Sequence, residues 1–167
     1  MQQRTLPSNG RLDPGGSDVI DILEQDHQAI KNLLADLNTA PKPARGEVLE
    51  ALKQLLTVHC TVEENLVYPA IHEIAKRPMH AVKLYHQQDE AKIVLWTLDQ
   101  LSPEDEEFEK KAAKLRDAVI AHIDLEENDE FPRLREAAGG QMTALTAAAR
   151  VIRDGFSFDS DATEAHT

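Results

Sequence analysis

His59-Cys60-Thr61-Val62-Glu63-Glu64-Asn65-Leu66-Val67-Tyr68-Pro69, HCTVEENLVYP, returns 63 residues later as HIDLEENDEFP at 122–132. Each copy reads His, three residues, Glu-Glu-Asn, two residues, an aromatic ring and Pro. A His and a Glu four residues apart lie one turn from each other on the same helix face. The segments before the two copies repeat more loosely, DHQAIKNLLADL at 26–37 against YHQQDEAKIVLW at 85–96. Two helix pairs related by a pseudo-twofold would bring matching side chains to a centre between them.

Around these copies the chain reads as helix throughout. Apolar stripes step by three and four residues over about 18–38, 43–76, 79–101 and 103–138, and a shorter Ala-rich helix follows at about 141–153. Ser102-Pro103-Glu104-Asp105 reads as a helix start and Gly139-Gly140 as a stop. Short connections make successive helices antiparallel neighbours, so the expected fold is all-α, an up-down-up-down four-helix bundle with a short fifth helix. The first helix presents Ile20, Leu23, His27, Ile30, Leu34 and Leu37. The second presents Val48, Leu52, Leu55, His59, Glu63, Leu66 and Ala70, the third Val82, His86, Glu90 and Ile93, and the fourth Phe108, Ala112, Leu115, Val119, His122 and Glu126. His and Glu stand where Leu belongs, in every long helix. Trp96 and Met142 read as core residues, and Tyr68 and Phe131 as rings closing a helix end.

Unpartnered charges inside a bundle cost several kcal/mol each or change protonation. A pair of divalent metals satisfies all of them, and mixed imidazole and carboxylate donors suit iron, manganese or zinc. Residues His27, His59, Glu63, His86, Glu90, His122 and Glu126 share one level if the second helix breaks near Pro69 and 70–78 form the connection. Glu127 is the alternative to Glu126, and Asp89 competes with Glu90. Asp26, Glu64 and Glu127 read as supporting or solvated carboxylates, His72, His80 and His166 as surface residues, and Cys60 as a buried inert thiol.

Composition narrows the rest. Eighteen Lys and Arg against 30 Asp and Glu give a net charge of −12, which argues against binding nucleic acid or an anionic membrane. Aromatic residues make up only 4%, few for a β-rich core. A single cysteine excludes an internal disulfide and multi-cysteine metal sites. No apolar run reaches a membrane span and no signal-like segment opens the chain, so the expected location is cytoplasmic. Residues 1–17 read as a flexible arm, 18–153 as the bundle and 154–167 as an acidic flexible tail.

Asp26-His27, His59-x-x-x-Glu63-Glu64 with Tyr68-Pro69, His86, and His122-x-x-x-Glu126-Glu127 with Phe131-Pro132 together resemble the hemerythrin-like family, the HHE cation-binding domain, over about 18–138. The resemblance implies two non-heme Fe ions with a bridging oxo or hydroxo group. His86, Glu90 and His122 would hold one iron and His27 and His59 the other, with Glu63 and Glu126 bridging and one position open on the second iron. Oxygen carriers of the family have HxxxH where this chain has His86-x-x-x-Glu90, and HxxxxD where it has Glu126 and Glu127. An extra carboxylate favours the ferric state and a lower potential. The implied ligand is then oxygen, hydrogen peroxide or nitric oxide, handled by an oxidoreductase with an unidentified reductant or by a non-catalytic iron or oxygen sensor or store. The expected chain is a monomer or weak dimer. The sequence singles out no catalytic residue.

Overall fold

The computed structural model describes the backbone of residues 17–164 and the side chains through Phe156. Ser17 apart, the arm read at 1–17 lies outside the described residues. Helix α1, Val19–Thr39, starts at Asp18. The Asp18 carboxylate accepts the Ile20 and Asp21 amides at 2.9 and 3.0 Å, and Asp21 accepts the Asp18 amide at 2.9 Å, a reciprocal cap. Helix α2, Arg45–Val62, passes through one π-helical turn, Glu63–Val67, into α3, Tyr68–Glu73. After a turn containing left-handed Lys76, φ 57°, helix α4 runs Pro78–Asp99. Helix α5, Glu106–Leu125, passes through a second π turn, Glu126–Glu130, into α6, Phe131–Ala138. Gly139, at φ 48°, ends α6 in a conformation costly for any residue with a Cβ, and α7 runs Gln141–Glu164.

Four rods, α1, α2–α3, α4 and α5–α6, make the four-helix bundle, and α7 packs on α1, α2 and α6. Three boundaries differ from the sequence reading. The second rod does not break at Pro69: proline lacks an amide and crowds the carbonyl four residues back, and a π turn, one residue wider, absorbs both problems. The connection is therefore 74–77 and not 70–78. The fourth rod starts at Asp105, whose carboxylate accepts the Glu107 amide at 2.9 Å, while Ser102 caps only the preceding turn. The fifth helix continues past 153 to Glu164, through most of the segment read as a tail.

The core has two apolar halves. One gathers Ile20, Leu23, Tyr68, Ile71, Leu84, Phe131 and Leu134, the other Ile30, Leu34, Leu52, Leu98, Phe108 and Leu115. Between them lies a buried polar layer: Asp26, His27, His59, Glu63, Gln88, His122 and Glu126. The stripes read on the first and fourth rods are buried as expected. The stripe read on the third is not: Val82 and Ile93 are 55% and 64% exposed, and Trp96, read as core, is 67% exposed. Helix α4 turns Ala81, Leu84, Gln88 and Leu98 inward instead. It carries apolar residues on both faces, so spacing alone does not set its phase.

Candidate metal centre

The two π turns build the site. In each, the amide of the aromatic residue bonds back five residues to the Glu carbonyl, Tyr68 to Glu63 and Phe131 to Glu126. The Asn of each repeat donates its side-chain amide to the carbonyl four residues earlier, Asn65 to Thr61 and Asn128 to Asp124, both at 2.8 Å. The sequence repeat is thus a structural repeat. The wider turn stacks the aromatic residue over Glu rather than rotating it away.

Atoms of His27, His59, Glu63 and Glu126 that can bind a metal lie within 4.8 Å of one another. His59 Nε2 is 3.0 Å from Glu63 Oε1, His27 Nε2 is 3.3 Å from Glu126 Oε2, and His122 Nε2 is 3.2 Å from Glu126 Oε1. His27, Glu63 and Glu126 are wholly buried. Yet His27 Nε2, Glu63 Oε1 and Glu126 Oε2 make no aligned hydrogen bond. Close, buried and misaligned donors of this kind fit a shared cation better than one another.

Each imidazole is held from behind through Nδ1. Glu127 holds His27 at 3.0 Å and is itself bound by Lys31. Asp26 holds His59 at 3.4 Å and is bound by Arg153 of α7 at 2.5 and 3.1 Å. Gln87 lies 3.3 Å from His122 Nδ1. A partner on Nδ1 aims Nε2 inward. Glu126 is therefore the inward carboxylate of the pair and Glu127 the supporting one. Asp26 is likewise buried and supporting.

Burial pushes the His27 imidazole down, but the Glu126 and Glu63 carboxylates beside it outweigh burial and raise the group to about 9. Burial opposes the charge on His59 too, while the Glu63 charge and the Asp26 hydrogen bond raise it to about 10. Burial would raise Glu63, but the His59 charge and the neighbouring His27 imidazole hold it well below the usual carboxylate range. In the metal-free chain, protons therefore occupy the imidazoles and stand in for cationic charge.

Two residues expected here are elsewhere. The side chains of His86 and Glu90 are 76% and 68% exposed, on the outer face of α4 and paired only loosely at 3.9 Å. The inward phase of α4 delivers Gln88 to the polar layer in their place, with its Nε2 donating to Glu63 Oε2 at 2.7 Å and to the Tyr68 hydroxyl at 3.0 Å. Asp89, beside Gln88, is exposed as well.

Tyr68 is the residue that sequence reasoning placed in the core without a role. Its hydroxyl lies 2.9 Å from both Glu126 Oε1 and His122 Nε2 and 3.1 Å from Glu63 Oε2. Burial, then the Glu126 and Glu63 charges, hold this phenol protonated well above its ordinary value. The signal that would have found it is the Pro that follows, which forces the π turn. Phe131, its repeat mate, stacks on the His27 ring with centroids 5.6 Å apart.

His80, read as a surface residue, bonds Glu130 at 2.7 Å beside Arg77, which also holds Asp129 and Glu130. That group ties the α3–α4 turn to the second π turn. Cys60 is half-buried, and burial pushes its thiol up.

Residues 18–134 match the family Hemerythrin HHE cation binding domain. A crystal structure of an HHE cation binding domain-containing protein from Mycobacterium kansasii superposes with a TM-score of 0.75. It is 20% identical, and the match covers 91% of this chain and 94% of that one. A protein from Nostoc sp. named DNA nickase is 27% identical over 124 residues, 74% of this chain. That match takes in only 35% of the Nostoc protein, so this chain spans about a third of its length. With the family match running across the bundle and through both halves of the repeat, the chain belongs to the hemerythrin HHE cation-binding domain family.

Proposed function

We propose that this chain holds two non-heme Fe ions, joined by an oxo or hydroxo bridge, and binds or reacts with a small oxidant: hydrogen peroxide, oxygen or nitric oxide. The observation that supports it is the buried layer in which His27 Nε2, Glu63 Oε1 and Glu126 Oε2 converge without hydrogen-bond partners. His27, His59 and His122 are the nitrogen donors of this reading. Glu63 and Glu126, one from each half of the repeat, would be the carboxylate donors. When bound, iron supplies Lewis acidity and a store of electrons.

The chain's own residues supply the rest. Glu127, Asp26 and Gln87 orient the three imidazoles. The Tyr68 hydroxyl holds a proton between Glu63, Glu126 and His122. The apolar halves on either side exclude water. The net charge of −12 sets the chain against a phosphate backbone, so nicking of DNA is not carried over from the Nostoc protein.

Metal analysis with an absorption spectrum before and after peroxide tests the reading. About two irons per chain and a spectrum that responds to peroxide are expected. About one metal per chain, or zinc after growth with ample iron, overturns it. A second reading is a non-catalytic sensor of iron or oxygen, or an oxygen store. It draws on the Arg153–Asp26–His59 connection, which links the centre to α7. Sustained turnover of peroxide or nitric oxide by the reduced protein separates the two.

A further inference from the structure

A cavity of about 310 Å³ opens between α2, α4 and α5 and ends on His59, Glu63, Gln88 and His122. Its walls are Ile30, Leu56, Leu95, Leu115, Val119 and Ile123. Lys92 and Glu64 also line it, and they form an ion pair with each other. One water occupies about 30 Å³ of liquid, and dioxygen, nitric oxide and hydrogen peroxide have two heavy atoms each. The space far exceeds what any of them needs, and its apolar walls offer water little. Volumes near 300 Å³ with a few polar groups at one end are those of organic-ligand sites.

Gln88 supplies the polar end. Its Nε2 faces the Glu63 carboxylate, which fixes the amide orientation, because a carboxylate repels a carbonyl in that place. Gln88 Oε1 is then left buried with no partner. We infer that this cavity binds an apolar organic molecule of about ten non-hydrogen atoms carrying one O–H group, an alcohol or hydroperoxide, with that group donating to Gln88 Oε1. The inference names a ligand class for the centre proposed above and rests on that reading only in taking the inner end as the reacting end.

The probes are 2-phenyl-2-propanol and isopropylbenzene, which differ by the hydroxyl. They are titrated by protein NMR into samples of measured iron content. The alcohol should bind saturably, shift resonances of Ala91, Leu115 and Val119, and bind about fivefold tighter than the hydrocarbon. Gln88→Leu should bring the two together. Ala91→Trp and Leu56→Trp fill the cavity from α4 and α2, and either one that folds should abolish binding. No saturable binding, or binding indifferent to a folded cavity-filling variant, overturns the inference. Binding without two irons removes the diiron reading and keeps the pocket, and two irons without binding does the reverse.

The outer face of α4 carries a separate inference. Met79, Val82, Ile93 and Trp96 are 73%, 55%, 64% and 67% exposed, and His86 and Glu90 lie between them. The order is its own complement when reversed. An antiparallel second copy crossing near Gln87 and Gln88 sets Met79 level with Trp96 and Val82 with Ile93, and brings His86 to within one residue of Glu90. We infer that this face pairs with a second copy of this chain about a twofold axis. Sedimentation equilibrium should show a weak dimer, strengthened by salt, which screens the −12 of each copy. Val82→Glu and His86→Glu should each give monomer, and exchanging His86 and Glu90 in one variant should restore the dimer. A wild-type monomer at millimolar concentration overturns the inference, as does a dimer indifferent to Val82→Glu.

Discussion

At the scale of single residues, His86 and Glu90 project from the outer face of α4, with side chains 76% and 68% exposed, while His27, Glu63 and Glu126 are wholly buried. His27, His59, Glu63, His122 and Glu126 were legible because each interrupts an apolar stripe whose phase is unambiguous. His86 and Glu90 were misplaced because α4 has apolar residues on both faces, and either face can be drawn as the core. Their exposure carries a prediction: Glu90→His and His86→Ala should leave the metal content unchanged, while His59→Ala and Glu63→Ala should lose most of it. Metal analysis of the four variants checks this, and loss of iron from Glu90→His would return Glu90 to the centre.

Protonation belongs to the same scale. In the metal-free chain the His27 and His59 values are raised, to about 9 and about 10. Such groups stabilise the fold fully below their ordinary value near 6.5, and the contribution disappears as pH rises through the raised values. Glu63, held below its ordinary 4.5, contributes above that value and is lost on acidification. The chelated protein should therefore be most stable between about 4.5 and 6.5 and melt progressively earlier toward pH 10. Metal uptake displaces the same protons, so metal affinity should rise over the range in which the chelated form weakens. Melting curves against pH, with and without chelator, measure both trends. A chelated form equally stable from pH 6.5 to 10 would mean that the imidazoles are neutral.

At the scale of elements, the π turns are the device that converts the repeat into a site. Pro69 and Pro132 remove the amides that an uninterrupted α-helix would use, and the helix widens by one residue instead of ending. Pro69→Ala returns that amide and lets α2 continue in α-helical phase, which swings Tyr68 away from Glu126 and His122. The variant should keep its helical circular dichroism and lose metal affinity by about ten- to a hundredfold, the size of effect seen when groups supporting ligands are moved. Competitive chelator titration reads the affinity. An unchanged value would show that the turn is set by packing and not by the proline.

At the scale of the whole molecule, α7 belongs to the centre as well as to the bundle. Arg153 reaches Asp26, and Asp26 reaches His59. Arg153→Met should leave Asp26 as a poorly compensated buried carboxylate, raise its pKa and loosen His59. The expected result is weaker metal binding by about tenfold or more, with a smaller fall in the melting temperature of the chelated form. Equal losses in both would mark Arg153 as a packing residue only.

The sequence by itself determined the helical class, the bundle, the repeat and five inward side chains, because apolar periodicity and interrupted stripes are local properties. Tertiary packing decided the rest. The phase of α4 depends on which of its two apolar faces meets α5, which no local pattern specifies, and that choice put Gln88 in the layer and His86 and Glu90 in solvent. The place of Tyr68 depends on whether the second rod ends or widens at Pro69. It widens, and the same turn that keeps the rod continuous brings the phenol to the centre. The support of His59 by Arg153 joins residues far apart in sequence, a contact that exists only once α7 has docked on α1 and α2.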